Sequence, residues 1–122
     1  WLNGLSTTLS RPELLNRRVV LVGQVPPTRF LSPSILRPKV STQSFDLSSS
    51  SDRNLIIQSE KVVAKRYSNS SVFDTANYLC PEGKCKYSID GEDAYNDSLH
   101  LTVKGAMLLR DGFTAMLRLQ VK

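Results

Sequence analysis

Histidine is nearly absent from this 122-residue chain: His100 is the only one, and cysteine occurs twice, at Cys80 and Cys85. A structural zinc site needs four protein ligands, so no metal centre is expected, and nothing implies an organic cofactor. Long apolar runs are missing too. None approaches the ~18 residues of a membrane span; the longest, Val19 to Val25, follows Arg17-Arg18 and reads as a buried strand. Trp1-Leu2-Asn3-Gly4 has neither the basic start nor the apolar stretch of a signal peptide. The chain does not start with Met, so the expectation is a fragment or processed product whose targeting signal lies upstream. Internal repeats are absent. Basic residues exceed acidic ones by 16 to 11, with 10 basic and 4 acidic residues through Val72 and 6 and 7 beyond it. They are spread singly apart from Arg17-Arg18 and Lys65-Arg66, without the interleaved aromatics that stack on bases. A solvated surface is expected, and no nucleic acid.

What is present suits a soluble globular domain: 40% hydrophobic and 22% charged residues. Its length allows at most one domain or a piece of one. Ser6 to Asn16 predicts a short helix, with Ser10 as a cap and Pro12 in a first turn. The β-branched run Val19–Val25 predicts a strand buried on both faces, as in a parallel sheet covered by helices. Thr28 to Ser51 reads as a long irregular connection. A helix follows, capped by Ser51 or Asp52, with Leu55, Ile56, Ser59, Val62, Val63 and Tyr67 on its apolar face. Val72-Phe73-Asp74 predicts a short strand, Pro81 to Lys84 a turn, and Tyr87 to Tyr95 a hairpin about Asp90-Gly91. Thr102 is expected to cap a last helix running to about Leu119, which Gly112 weakens by ~1 kcal/mol. This alternation is an α/β pattern.

One segment carries chemistry: Tyr95-Asn96-Asp97-Ser98-Leu99-His100-Leu101-Thr102. An ionised carboxylate three residues before an imidazole can hydrogen-bond one ring nitrogen. That fixes the tautomer and leaves the other nitrogen free to accept a proton from a nucleophile. The alternative makes Asp97 a turn residue and His100 a partly buried side chain packed at the helix start. Spacing alone leaves both open and favours the second.

The run Phe73-Asp74-Thr75, Leu79-Cys80, Cys85, Gly91 and Ala94-Tyr95-Asn96-Asp97-Ser98-Leu99-His100-Leu101-Thr102-Val103-Lys104-Gly105-Ala106 resembles the closing part of the SGNH domain attached to membrane-bound O-acyltransferases. There a Cys-containing segment precedes Tyr-x-Asp-x-x-His-Leu-Ser/Thr-x-x-Gly-Ala. Val22-Gly23-Gln24-Val25-Pro26 is similar to that family's strand leading into a Gln-Val-Pro turn. The resemblance implies a three-layer, flavodoxin-like α/β fold in which Asp97 orients His100 as general base of a Ser-His-Asp triad. The family's nucleophile lies in a Gly-Asp-Ser motif on its first strand, and this chain contains no Gly-Asp-Ser. Residues 1–122 are therefore expected to be the C-terminal portion of one SGNH-like domain, without the nucleophile strand and inactive alone. Ser98 sits too close to the pair to stand in.

The resemblance further implies an esterase or O-acyltransferase acting on sugar hydroxyls. An acylated carbohydrate or cell-surface polysaccharide would be its substrate, a membrane acyltransferase domain its tether, and the periplasmic or extracellular face its location. In that oxidising setting Cys80 and Cys85 form a disulfide; in a reducing one they stay free thiols. The sequons at Asn69 and Asn96 are read as chance. The competing expectation is a non-catalytic SGNH-like or basic glycan-binding module.

Overall fold

A computed structural model describes residues 1–28 and 44–118. They form two units: Trp1–Gln24 with Ser51–Asp74, and Val25–Ser50 with Thr75–Lys122. The elements are α1 (Leu2–Leu9), α2 (Pro12–Leu15), β1 (Val19–Val22), β2 (Ser44–Asp46), a 3-10 turn (Leu47–Ser49), α3 (Ser51–Ala64), β3 (Ser70–Phe73), α4 (Ala76–Leu79), a second 3-10 turn (Pro81–Gly83), β4 (Lys84–Lys86), β5 (Ser88–Ile89), β6 (Glu92–Asp93), α5 (Val103–Met107) and α6 (Arg110–Arg118).

In the first unit β1 and β3 pair in parallel, Val19 opposite Ser70 and Val22 opposite Phe73. Helices α1 and α3 join them through Leu5, Leu9 and Val63, against which Val19, Leu21 and Tyr67 pack. The expected helix over residues 6–16 is two helices. Pro12 disfavours helical geometry at the residue before it, so Arg11 is extended (φ −63°, ψ 133°) and Pro12 starts α2. The expected strand ends early, at Val22, and is not buried on both faces: Val22 is 55% exposed. Alternation puts Val19 and Leu21 on the helix-covered face and Val20 and Val22 on the other.

The buried face of α3 also differs from expectation. Arg53, Ile57, Glu60, Val63 and Ala64 point inward, while Leu55 and Val62 are 68% and 57% exposed. Polar partners set this rotation. The buried Arg53 donates from Nε to the Gln24 carbonyl (2.9 Å) and pairs with Asp74, whose other oxygen lies 3.2 Å from Lys61 Nζ. Ile57 seats where Gly23 has no side chain; a Cβ there would lie 2.4 Å from Ile57 Cδ1. Asn69 Nδ2 donates to the carbonyls of Leu14 and Arg17 (2.6 and 2.8 Å), an engagement a glycan on that nitrogen would disrupt.

In the second unit β2 and β4 are antiparallel, Phe45 opposite Cys85. Cys85 is joined to Cys80, at the end of α4, by a disulfide. Phe45 stacks 4.9 Å from Tyr87 and meets Tyr95 edge-on at 6.2 Å. The hairpin β5–β6 turns at Asp90-Gly91, both left-handed (φ 51° and 81°), as a two-residue hairpin loop requires. The long helix expected from Thr102 is α5 and α6. Leu108 and Leu109 donate three residues back, to Gly105 and Ala106, so the chain tightens into a turn that buries Leu109. Most of the expected connection from Thr28 to Ser51 falls on residues 29–43, outside the described residues; its last part holds β2 and the first 3-10 turn. No described helix is long and apolar enough to cross a membrane.

Candidate active site

The site loop grows out of the second unit's core. Tyr95, only 2% exposed, bridges Leu101 in antiparallel fashion and closes a loop over the residues between them. Asn96 N–H donates to the His100 carbonyl (2.8 Å) and Asn96 Nδ2 to the Leu101 carbonyl (3.3 Å). Thr102 then caps α5. Its hydroxyl accepts from Gly105 N–H (3.1 Å) and donates to the Asp93 carbonyl (2.6 Å), and its own N–H donates to the Ala94 carbonyl (3.1 Å). Gly105 is required there because a Cβ would lie 2.0 Å from Ala94 O. Each fixed residue of Leu-Thr-x-x-Gly-Ala from Thr102 to Gly105 thus has a physical task in docking the helix under the loop.

Within the loop Asp97 organises its own turn. Oδ1 accepts from the N–H groups of Leu99 and His100, both at 2.8 Å, the pattern of an Asx turn. The carboxylate also faces the ring: His100 Nδ1 lies 2.8 Å from Oδ2 and 3.0 Å from Oδ1. The Leu99 N–H first, then the His100 ring and the His100 N–H, hold the Asp97 carboxyl down to about 2. It is therefore ionised at neutral pH and only accepts, so Nδ1 carries a proton, and in the neutral ring the Nε2 lone pair is left free. The His100 side chain is 75% exposed, against 44% for Asp97, so it is not packed into the helix start. Among the described residues no hydrogen bond engages Nε2, and none joins the Ser98 hydroxyl to the ring. A side chain in this state can take a proton at Nε2 while the resulting imidazolium is stabilised at Nδ1.

A family model described as SGNH domain (fused to AT3 domains) matches residues 2–115. The chain belongs to that family. No curated protein and no solved structure matches it. The SGNH domain ties the chain to a hydrolase- and acyltransferase-associated family, and its α/β organisation agrees with that membership.

The structure brings Asp97 and His100 together, and Cys80 with Cys85. The described residues contain no group of three or more His, Cys, Asp or Glu able to hold a metal ion. Reading the sequence missed Thr28. Its N–H donates to the Ser98 carbonyl (2.8 Å) and its hydroxyl to that of Asp97 (3.5 Å). In the sequence Thr28 is only the first residue of the long connection to Ser51. It also missed Arg53, an ordinary helical arginine by pattern.

Proposed function

We propose that this chain supplies the acid and the general base of a Ser-His-Asp triad in an SGNH esterase or O-acyltransferase domain acting on acyl groups of sugar hydroxyls. The observation that carries this reading is the Asp97 carboxylate on His100 Nδ1 with Nε2 exposed and unengaged. In the reaction the serine Oγ–H gives its proton to His100 Nε2 as Oγ attacks the acyl carbonyl, and the imidazolium returns that proton to the departing oxygen. A sugar hydroxyl or water then releases the acyl group from the serine by the same transfers in reverse. Asp97 stays ionised throughout.

The chain holds no Gly-Asp-Ser, so the serine in this reading comes from sequence outside these 122 residues. Family membership, with its fusion to AT3 domains, supports a tether to a membrane acyltransferase. The Cys80–Cys85 disulfide supports an extracytoplasmic, oxidising location, where acylated carbohydrate or cell-surface polysaccharide is the substrate.

The test has two arms. The isolated chain should hydrolyse p-nitrophenyl acetate no faster than its His100→Ala variant; a His100-dependent rate would overturn the external serine. In the protein that carries this chain, His100→Ala and Asp97→Asn should each lower acyl transfer by about 10³–10⁴-fold and the double variant little further. Unchanged transfer in both would leave the basic glycan-binding module as the reading.

A further inference from the structure

We propose that Thr28 is the positioning residue for the Asp97–His100 pair, the tether that fixes their turn to the body of the domain. The inference rests on the triad reading above and names a residue that reading does not use.

The turn is almost self-contained. Asp97 Oδ1 holds the N–H groups of Leu99 and His100, the His100 carbonyl takes Asn96 N–H, and Asn96 reaches Leu101. Among the described residues, Thr28 is the single hydrogen-bonding partner that residues 96–100 have outside the stretch 93–105. It reaches the middle of the turn at two successive carbonyls, those of Asp97 and Ser98. Thr28 is 5% exposed and follows Pro26, which is fully buried. Two prolines with fixed φ make its approach stiff, so the donor arrives from a segment with little freedom of its own.

A tether adds what the side-chain contact supplies only weakly. A solvent-exposed carboxylate–imidazole contact biases its side chains by no more than about fivefold, and both members are substantially open to solvent. A general base must stay aligned with its nucleophile through proton transfer, and a small misplacement is costly to the rate. The backbone bond from Thr28 N–H to Ser98 O supplies the restraint that the side-chain contact lacks.

The test is ¹⁵N NMR of the neutral His100 ring in the 122-residue chain. Wild type and Thr28→Ser should show the Nδ1–H tautomer, and the Thr28 amide should exchange slowly because it is donated to Ser98. Thr28→Pro removes that donor and should shift His100 several-fold toward the Nε2–H tautomer that a free imidazole favours. Thr28→Val keeps the donor, loses the hydroxyl and should fall between. A folded Thr28→Pro chain that keeps the Nδ1–H tautomer overturns the positioning role. Should that variant not fold, a rapidly exchanging Thr28 amide in wild type overturns it equally, and a protected one with an intermediate Thr28→Val supports it. A wild-type ring in the Nε2–H form would instead sink the triad reading itself.

Discussion

Replacing Gly105 with alanine puts a methyl carbon 2.0 Å from the Ala94 carbonyl oxygen, 2.9 Å from its carbon and 3.2 Å from Ala94 Cα. All three are backbone atoms, so no side chain can swing away. Ordinary contact begins near 3.4 Å, and α5 must withdraw from the strand end by about an ångström or more. The same carbonyl accepts Thr102 N–H, and Thr102 caps α5 through Gly105 N–H, so the withdrawal strains both bonds. Overpacking costs about 1–3 kcal/mol and a lost cap about 0.5–2 kcal/mol. Alanine's higher helix propensity returns about 1 kcal/mol. The net expectation is a destabilisation of about 2 kcal/mol, read as a lower urea midpoint with unchanged slope. Gly4→Ala is the internal control: it is also helical, but a Cβ there meets nothing within 4 Å, so that variant should gain up to about 1 kcal/mol. Should Gly105→Ala match or exceed wild type while Gly4→Ala stabilises, α5 is not docked on Ala94 and the account of the Leu-Thr-x-x-Gly-Ala segment fails.

Arg53→Met takes the buried guanidinium away from the Asp74 carboxylate, whose other oxygen lies 3.2 Å from Lys61 Nζ. Breaking a buried pair costs about 3–5 kcal/mol, so urea unfolding should show a loss near the lower end, and a smaller one when Asp74→Asn is added. The Asp97 carboxyl, held at about 2, lies below its unfolded value of roughly 3.9. Its contribution to stability is therefore present above about pH 4 and fades as pH falls toward 2, with a ¹³C titration midpoint near the latter. In His100→Ala that midpoint should rise yet stay below the ordinary value, because the Leu99 N–H, the strongest influence, remains. Cys80 and Cys85 are 4% and 0% exposed, so thiol labelling of the folded chain should stay low until denaturant is added with reductant. Replacing both with serine should cost about 2 kcal/mol, the loop-entropy value for so short a ring.

The parts of this molecule that were legible in its sequence are those whose causes lie within a few residues. Asp90-Gly91 announces its hairpin because only residues tolerant of positive φ fit that loop. Asp97 and His100 meet because a carboxylate that accepts the N–H groups two and three residues ahead draws the third residue's ring back over itself. Thr102 caps α5 for the same local reason. Other features depend on a distant partner. For the rotation of α3, apolar spacing favours Leu55 and Val62 on the buried face; what decides it is Arg53 reaching Gln24 and Asp74 and Ile57 filling the space left by Gly23. The break between α5 and α6 was invisible for a related reason. By pattern Gly112 is a weak point in one long helix, whereas a Cβ there would lie 2.4 Å from the Tyr78 ring, so it marks where a helix lies close against an aromatic side chain. Thr28 had no local signal at all. A short motif is thus readable in the turn that its own backbone and side chains build, whereas the facing of a helix such as α3 is set by partners tens of residues away.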